Sequence, residues 1–353
     1  MTHSPSQELN RTDAPILVTG GGGFIGGGIV RALLEQGHRV RSFSRSEHLP
    51  LKNLGVECAV GDLSDRDAVI AAAEGCSLIF HVAALAGVWG NRDEYWATNV
   101  TGTEHVLDAC RVHSIDRLVF TSSPSVTFAG LDQQGIDESE PYPEKFLADY
   151  PRTKAEAERR VRNAANRRLA TVSLRPHLVW GPDDPHFLPR LIDRAKRGKL
   201  RLVGDGRSRV DSTYIDNAVI AHLNAAARLF PDSPISGRAY FISNGEPLPV
   251  GDLLSRLLGA AGLPPITRTV PTPLAVGLGG ILEGVYRVLR RKQEPPITRF
   301  VARQLSTDHW FDLSAARRDL GYLPEVTIEE GINRVRTHLS GTEEKHAQPE
   351  PTP

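Results

Sequence analysis

The sequence predicts an α/β fold in which a doubly wound parallel sheet is followed by a small, mostly helical C-terminal lobe. Three observations predict it. Short apolar runs alternate with segments of helical spacing from Ile16 to Leu174. A glycine cluster directly follows the first apolar run, as in Rossmann-type sheets. Beyond Trp180 the alternation ends, and prolines and glycines become frequent.

The predicted elements follow one another as in βαβ units. Runs rich in Val, Ile, Leu and Phe are predicted as strands: Ile16–Thr19, Arg39–Ser44, Val56–Val60, Leu78–Val82, Arg117–Thr121 and Thr171–Leu174. Segments with apolar residues three and four apart are predicted as helices: Phe24–Gln36, Asp65–Ala73, Asp93–Val112 and Tyr150–Arg168. Asp65 favours a helix start, because a carboxylate in the first turn suits the helix dipole.

The pattern divides the chain into two domains with polar tails. Residues 14–180 are predicted to form the sheet domain, which a strand near 240–243 rejoins, and residues 181–340 the smaller lobe. Pro182, Pro185 and Pro189 predict a loop at the start of that lobe. The polar segments 1–13 and 341–353 are predicted to be disordered.

Composition excludes several classes of protein. The 42 basic and 42 acidic residues give a net charge of zero, which argues against nucleic-acid binding through bulk positive charge. Three cysteines, Cys58, Cys76 and Cys110, exclude a disulfide framework and a cysteine zinc site and suit a reducing cytoplasm. The N-terminus lacks the apolar core of a signal peptide. The run Leu274–Leu282 is too short to span a membrane. We therefore expect a cytoplasmic protein without a metal site.

The glycine cluster is the first candidate binding site. Gly20, Gly23 and Gly26 form a G-x-x-G-x-x-G pattern between the first strand and the first helix, with Phe24 and Ile25 inside it. Glycine permits a positive φ and a close approach of backbone N–H groups to a pyrophosphate, which the helix N-terminus also attracts. A glycine-rich stretch alone is also typical of plain loops. The strand–loop–helix context favours a dinucleotide site, so residues 14–180 are predicted to bind the cofactor.

The residues after the second strand predict which dinucleotide binds. An NAD site usually has an acidic residue there for the ribose 2′-hydroxyl, but the stretch Arg41–Arg45 has none. Arg45 suits an ion pair with a 2′-phosphate and Ser44 a hydrogen bond to it, which predicts NADP(H). The alternative is that Arg45 is a solvated surface residue. Asp62, after the third strand, is either an acceptor for the adenine amino group or a turn cap.

The segment from Tyr150 to Lys154 is the candidate catalytic group. Tyr150 and Lys154 are four residues apart at a helix start, so they lie on one face. A nearby ammonium favours a phenolate, and we expect it to lower the Tyr150 pKa from about 10 towards working pH. Such a phenol exchanges a proton with an alcohol or an alkoxide. Alone, Y-x-x-x-K is also typical of surface helices. Its place downstream of the glycine pattern favours catalysis.

A serine cluster follows the fifth strand, where ligands of open α/β sheets bind. A hydroxyl there suits a substrate carbonyl oxygen held beside Tyr150. Spacing alone does not choose among Thr121, Ser122, Ser123 and Ser125.

Together these motifs resemble those of the extended short-chain dehydrogenase/reductases. The resemblance covers about residues 15–180 and rests on T-G-G-G-G-F-I-G, Gly61–Leu63, His81–Ala84, Asn99–Thr103, the serine cluster and Y-x-x-x-K. It implies that Ser123 is the catalytic hydroxyl, that Tyr150 is the acid/base and that Lys154 supports it and contacts the cofactor. It also implies that Asp62, Leu63, Ala83 and Ala84 line the adenine side and Pro176 the nicotinamide. Asn99 either belongs to the site or only braces its helix.

Motifs in the second half of the chain indicate which branch of this family the sequence resembles. Leu174–Pro182 and Val203–Gly206 are similar to the 3β-hydroxysteroid dehydrogenase branch. Val210-Asp211-Ser212 lacks the arginine with which nucleotide-sugar epimerases bind diphosphate, which argues against a UDP-sugar substrate. Further stretches resemble the 2-alkyl-3-oxoalkanoate reductases of bacterial long-chain olefin biosynthesis, over nearly the whole chain: Ala86–Gly90, Pro124–Thr127, Asp211–Asn217, Tyr240–Pro249 and Thr298–Trp310. In that family a threonine also stands at the position of Ser123.

The closer resemblance implies a reaction and a substrate. NADPH would reduce a β-keto acid with two long alkyl chains to a 2-alkyl-3-hydroxyalkanoate, which a β-lactone synthetase would consume. Two alternatives stay open: a 3β-hydroxysteroid dehydrogenase that oxidises a sterol with NAD, and a non-catalytic NADP-sensing protein. The Tyr150–Lys154 pair argues against the sensor.

A long-chain substrate needs an apolar channel. Its candidate lining residues are Trp89, Trp180, Phe187 and Trp310, which as single aromatics equally suit a core. His177 either faces the nicotinamide or caps a strand. The substrate carboxylate has three candidate partners between which the sequence does not choose: Arg190, Arg207 and Arg209.

The apolar segment Pro273–Leu289, followed by Arg290-Arg291-Lys292, allows two interpretations. It is either an amphipathic segment resting on a membrane surface or a partner enzyme, or a helix in the core of the lobe. We expect at most a peripheral membrane contact and no bound nucleic acid. The family resemblance further implies a homodimer through the two long helices and assembly with other enzymes of the olefin pathway.

Overall fold

The computed structural model describes Leu9 and residues 12–347. The strands in chain order are β1 (Ile16–Thr19), β2 (Val40–Ser44), β3 (Glu57–Val60), β4 (Leu78–His81), β5 (Arg117–Thr121), β6 (Gln133–Ile136), β7 (Ala170–Pro176), β8 (Val179–Trp180), β9 (Leu202–Val203), β10 (Arg209–Val210), β11 (Thr213–Tyr214), β12 (Arg238–Ile242), β13 (Leu248–Pro249), β14 (Thr269–Val270) and β15 (His309–Phe311).

Helices connect these strands. They are α1 (Phe24–Glu35), α2 (Leu49–Asn53), α3 (Arg66–Ala73), α4 (Arg92–Trp96), α5 (Gly102–His113), α6 (Asp149–Asn163), α7 (Phe187–Lys196), α8 (Ile215–Arg228), α9 (Val250–Ala260), α10 (Thr272–Val288), α11 (Arg299–Gln304), α12 (Ser314–Leu320) and α13 (Ile328–Ala347). A π-helical turn, Ala97–Thr101, joins α4 to α5, and a 3₁₀ turn, Pro124–Thr127, follows β5.

The central sheet has seven strands in the order β12-β7-β5-β4-β1-β2-β3, and every neighbouring pair is parallel. Its strands are apolar on both faces because helices cover both faces. Buried residues of α3, α5 and α6 pack on one face, and those of α1 and α8 on the other. The predicted doubly wound Rossmann-type fold is therefore confirmed. The order reverses between β1 and β4, where ligands of such sheets bind.

The long helices differ in detail from the prediction. Asp93–Val112 is helical throughout, but its middle is the π-helical turn. The helix predicted over Tyr150–Arg168 ends at Asn163, because the side chain and backbone of Asn166 close a tight turn before β7. The loop predicted at Pro189 is wrong: this proline is the third residue of α7. A first turn tolerates proline, since its N–H groups lack acceptors within the helix.

Segments beyond residue 180 contribute to both parts of the molecule. The returning strand is observed as β12, which pairs with β7, and α8 lies against α1. Other segments beyond residue 180 form helices α7 and α9 to α13 and, together with β6 from the first half of the chain, a second sheet in the order β13-β10-β15-β6. Helix α13 continues to Ala347, so the tail predicted from residue 341 is helical as far as it is described. Residues 348–353 lie outside the described residues, as do 1–8, 10 and 11 of the other predicted tail.

Candidate active site

The glycine-rich loop between β1 and α1 leaves a close-fitting backbone cradle. Gly20 has φ +72°, and a Cβ on it would lie 2.9 Å from the Ala83 Cα atom. A Cβ on Gly26 would lie 2.1 Å from the Gly20 carbonyl oxygen. Gly23 precedes the first turn of α1, which no side chain of the described residues caps. The N–H groups at the start of α1 are therefore available at the point where an anion would bind.

The end of β2 carries the predicted 2′-phosphate residues. Ser44 donates its hydroxyl to the Ser46 carbonyl at 3.0 Å, and Arg45 is exposed. The neighbouring Arg41 is instead committed to Glu57, which it contacts at 2.8 Å. Arg45 is therefore the cation that this strand end presents to solvent, next to the glycine-rich loop.

The imidazole of His48 was not singled out by the sequence, yet it covers that loop. A Cβ on Gly22 would lie 2.1 Å from its Nε2 atom. Asp62 accepts hydrogen bonds from the Ser64 backbone N–H at 2.8 Å and hydroxyl at 2.7 Å, and these lower its pKa. Asp62 therefore caps this turn through its Oδ1 atom. A contact between Asp62 and the adenine of a nucleotide stays a prediction.

The remaining predicted nucleotide contacts lie along the carboxyl edge of the sheet. Phe24 and Ile25 begin α1, and Phe24 is half-buried, as are Ala83 and Ala84 after β4. Leu63 is buried against Gly102. Pro176 ends β7. These positions agree with the crevice of an open parallel sheet.

Tyr150 is the second residue of α6, and Lys154 follows one turn later. Ser123 caps the 3₁₀ turn after β5 through the Ser125 N–H, and its hydroxyl lies 2.9 Å from that of Ser125. Burial raises the Tyr150 pKa more than a hydrogen bond from Ser123 to the phenol lowers it, so the net shift is upward. The three predicted catalytic residues therefore converge at one edge of the sheet.

The expected lowering of the Tyr150 pKa by Lys154 is wrong for this arrangement. The Lys154 ammonium donates to the Thr121 carbonyl at 2.7 Å and lies 4.1 Å from the centre of the Phe120 ring. Its charge is thus directed towards β5. The side chain is only 2% exposed, and burial lowers its own pKa to about 7 against an opposing effect of Glu158.

A buried ion pair lies beneath Lys154. Glu158 is one turn further along α6, and its carboxylate accepts from Arg175 at 2.6 and 3.0 Å. The Tyr142 hydroxyl donates to the same carboxylate at 2.6 Å. Sequence analysis missed this pair, although the spacing Tyr150–Lys154–Glu158, four residues each, places all three on one helix face.

Asn99 in the π-helical turn ties the site together. Its side-chain oxygen accepts from the Leu85 N–H at 2.7 Å, and its amide donates to the Leu85 carbonyl and to the Thr153 hydroxyl, both at 3.1 Å. Thr153 adjoins Lys154 on α6. Asn99 therefore braces the loop after β4 against the catalytic helix, and π-helical turns often occur at functional sites.

His81 connects the end of β1, next to the glycine-rich loop, to the first turn of α5. Its ring lies 2.8 Å from the Thr19 hydroxyl and 2.9 Å from that of Thr103, which donates to the Asn99 carbonyl. Nε2 therefore carries the proton, and Nδ1 accepts from Thr19. Burial and the charge of Lys154 lower the pKa of His81 to about 3, so this link stays neutral.

Two buried histidines join the sheet domain to the lobe. His177, which follows β7, lies 2.8 Å from His309 on β15, whose other nitrogen lies 2.6 Å from the Gln304 carbonyl. Burial lowers both pKa values. His309 therefore donates to Gln304 and accepts from His177. The sequence could not predict this pair, since its members are 132 residues apart.

A cavity of about 60 Å³ adjoins the start of α6. It lies between the loop after β4 and helices α10 and α11, and it is lined by Val88, Trp89, Gly90, Tyr95, Leu147, Ala148, Asp149, Glu283, Arg287, Thr298 and Phe300.

Of the aromatic residues predicted to line a channel, Trp89 is therefore placed near the start of α6. Trp180 is not: it is fully buried and donates to the Ser212 hydroxyl at 3.0 Å. Phe187 begins α7, and Trp310 lies on β15.

The arginines proposed for a substrate carboxylate lie elsewhere. Arg190 pairs with Glu294 at 3.2 Å. Arg207 is 87% exposed, and Arg209 donates to the Pro247 carbonyl. The cavity beside α6 contains a different cation, Arg287, which lies 5.6 Å above the Trp89 ring.

Comparison with known proteins places the fold in a family. The sequence model of the 3-beta hydroxysteroid dehydrogenase/isomerase family matches residues 17–272. The 2-alkyl-3-oxoalkanoate reductase of Stenotrophomonas maltophilia (strain K279a) is 50% identical over 324 residues, which are 91% of this chain and 98% of that protein. The protein of the same name from Shewanella oneidensis is 48% identical over 330 residues, 91% of this chain and 85% of the relative.

The solved structures agree on the architecture. The structure of MoeE5 in complex with UDP-glucose and NAD superimposes with a TM-score of 0.72 at 25% identity, covering 93% of this chain and 99% of that one.

Proposed function

The chain belongs to the 3-beta hydroxysteroid dehydrogenase/isomerase family, and from that premise we propose that it is an NADPH-dependent reductase of 2-alkyl-3-oxo acids in bacterial long-chain olefin biosynthesis. That it is an oxidoreductase of hydroxyl and keto groups follows from the family itself. The substrate proposal is carried by the two relatives named 2-alkyl-3-oxoalkanoate reductase, at 50% and 48% identity over 91% of the chain.

The cofactor proposal is supported by the geometry at the sheet edge. The cradle around Gly20 and Gly26 has no room for a Cβ, and the first turn of α1 points its N–H groups there. Arg45 is exposed at the end of β2, where a 2′-phosphate distinguishes NADPH from NADH. A nicotinamide cofactor bound there would supply the hydride for the substrate carbonyl carbon.

The side chains of this chain supply the proton. Tyr150 keeps its proton at neutral pH, because burial raises its pKa, and can donate it to the oxygen of the reduced carbonyl. Ser123, whose hydroxyl lowers the pKa of the phenol against the effect of burial, would hold that oxygen. Lys154 is held on the same helix face through the Thr121 carbonyl, and it would contact the cofactor, as the family resemblance implies.

On the substrate side we propose Arg287 as the partner of the carboxylate. It is the cation that lines the cavity beside Asp149 and Tyr95, whereas Glu283 in the same lining is paired with Arg299 at 2.8 Å. A guanidinium binds a carboxylate in bidentate fashion. Trp89 and Phe300 are among the apolar residues of the same lining.

The experiment follows oxidation of NADPH, and separately NADH, by the purified protein with a 2-alkyl-3-oxo acid carrying two alkyl chains. We expect turnover with NADPH and at least about ten-fold less with NADH, since one lost charge-assisted contact changes binding by that order. Tyr150→Phe should lower turnover by at least about a hundred-fold but leave NADPH binding, measured by fluorescence titration, unchanged.

A sterol dehydrogenase is the second candidate, because the matching family model is named for hydroxysteroids. Oxidation of a 3β-hydroxysterol with NAD, without turnover of the keto acid, would establish it and overturn the first proposal. Cofactor binding that Tyr150→Phe does not alter, without turnover of either substrate class, would instead identify a sensor.

We further propose a cytoplasmic homodimer built on α5 and α6, as the family resemblance implies. Val112 on α5 is 56% exposed and gives that surface an apolar residue. Assembly with the enzyme that consumes the hydroxy acid is part of the same proposal.

A further inference from the structure

Helix α10 carries an exposed apolar stripe along its outer side. Large apolar side chains recur there at alternating steps of four and three residues: Leu274, Leu278, Ile281, Val285 and Val288. Ile281 is 66% and Val288 82% exposed. The stripe is about 21 Å long at 1.5 Å per residue. Contiguous exposed apolar surface of this kind marks an interaction site.

The opposite side of α10 is fixed to the protein. Gly279 lies so close to α11 that a Cβ on it would be 2.8 Å from the Arg299 nitrogen. The carboxylate of Glu283 accepts from the Arg299 backbone N–H at 2.7 Å and from its guanidinium at 2.9 Å. Helix α10 is therefore held against the protein on one side. Its other side is exposed in the folded protein because the helix is fixed in this orientation.

The helix ends in a cluster of exposed cations: Arg290, Arg291 and Lys292. The Trp89 indole donates to the Arg291 carbonyl at 3.1 Å, and its ring packs edge-on against Tyr286. The nearby carboxylates, Glu283 and Glu294, are paired with Arg299 and Arg190. Within the described residues of this segment, the cations thus meet no carboxylate.

We propose that this surface, the α10 face, docks on an anionic lipid surface with α10 lying parallel to it. The stripe would enter the acyl boundary, and Arg290, Arg291 and Lys292 would contact anionic headgroups. In the part of the chain that the structure describes, no helix is long and apolar enough to cross a membrane.

A second copy of the chain fits this surface less well. Two α10 faces brought together in either direction would offer no carboxylate to the three cations, because the helix, described over its full length, presents none on that side. An anionic lipid surface supplies both the apolar interior and the negative charge. The observations therefore favour lipid over self-association.

Docking would place the membrane next to the candidate active site. The inner side of α10 contributes Glu283 and Arg287 to the cavity beside α6. A substrate with two alkyl chains, which partitions into lipid, would enter without crossing water. This consequence rests on the proposed function, whereas the docking itself does not.

The test is flotation of the full chain with vesicles of phosphatidylcholine alone and of phosphatidylcholine with phosphatidylglycerol. We expect binding to the mixed vesicles that weakens in high salt. Ile281→Asp/Val285→Asp should weaken it at least about ten-fold, because both carboxylates would enter the acyl boundary. Arg290→Glu/Arg291→Glu should also weaken vesicle binding, by about five-fold per cation removed, because these cations would no longer attract the anionic headgroups.

The matched control is Phe230→Asp, an exposed apolar residue outside the α10 face, which should bind as the unaltered chain does. No binding to anionic vesicles, or equal binding by the stripe variant, would overturn the proposal. A stripe variant that binds lipid normally but changes its sedimentation from dimer to monomer would show instead that two copies meet there. Vesicle binding is measured without substrate, so failure of the proposed reaction would not affect the result.

Discussion

The ammonium of Lys154 is held between groups of opposite effect. Burial against Phe120 lowers its pKa to about 7, while the carboxylate of Glu158, one turn along the same helix, works against that lowering. The carboxylate itself stays ionised, because Arg175 holds its pKa below the usual range. We infer that Glu158 is a positioning residue that keeps Lys154 charged near neutral pH.

This role predicts the behaviour of Glu158→Gln. Lys154 is protonated below its pKa, and loss of the Glu158 carboxylate lowers that pKa further. As the pH is raised, kcat/KM for carbonyl reduction should therefore begin to fall at a lower pH in the variant than in the unaltered chain. We expect about a ten-fold loss relative to the unaltered chain at pH 8, the factor of one pKa unit, and little loss at pH 6. Rates of NADPH oxidation across this range measure it.

The control removes the partner as well. Glu158→Gln alone leaves Arg175 buried without a counter-charge, which costs about 3–5 kcal/mol. Glu158→Gln/Arg175→Met removes both charges and should show the same displaced profile in a stable protein. An unaltered pH profile in the paired variant would contradict a role of Glu158 in charging Lys154.

Individual site residues were predictable where their partners are close in the chain. The spacing of Tyr150 and Lys154 and the glycine pattern are local, so the sequence contains them in full. Glu158 has the same local signal. Arg175, Tyr142 and His309 reach the site from other strands and loops, and only the folded sheet brings them there.

At the scale of elements, the glycine-rich loop depends on contact between a strand end and a helix start. Gly26 lies so near the Gly20 carbonyl that any side chain on it must separate the two. Gly26→Ala should therefore displace the first turn of α1 and weaken NADPH binding at least about ten-fold, since the N–H groups that face a pyrophosphate move with it. Fluorescence titration of the cofactor measures this.

A second glycine provides the comparison. Gly259 lies in α9, and a Cβ on it would have no atom from outside its own stretch of helix within 4 Å, so Gly259→Ala should leave cofactor binding unchanged. It should also stabilise the protein by up to about 1 kcal/mol, the helix preference of alanine over glycine. Equal cofactor affinity in both variants would contradict the importance of the close approach.

Whole elements were predictable where they are long enough to show a pattern of apolar residues. The strands of the central sheet are continuous apolar runs, and each predicted one is present within two residues at either end. Strands such as β8 to β11 have two residues each, too few to show a period. Helix α8 was missed because nearly all of it is buried, and a helix buried on all sides has no polar face to reveal it.

At the scale of the molecule, folding buries His81, His177, His222 and His309 in neutral form. Burial lowers the pKa of His81 to about 3 and of His222 to about 4, and lowers those of His177 and His309. The unfolded chain binds these protons near pH 6.5. Their contribution to stability is therefore complete above pH 6.5 and is lost as the pH falls.

The free energy of unfolding should thus decrease between pH 6.5 and pH 5 by up to about 1.4 kcal/mol per pH unit for each histidine. Asp211, whose pKa burial raises to about 6, opposes them with one carboxyl. Urea unfolding at a series of pH values measures the slope. His222→Gln should reduce that slope by one histidine's share, and a slope near zero in the unaltered chain would refute the prediction.

The position of β15 has a consequence for the order in which the chain is made. It lies between β10 and β6, although β6 leaves the ribosome long before β15 does. A nascent chain therefore carries β6 without its neighbour throughout most of translation, and the Gln133 N–H lacks the carbonyl of Asp308 until then. We expect chains released before that point to expose two unpaired strand edges, which makes them templates for association and substrates for quality control.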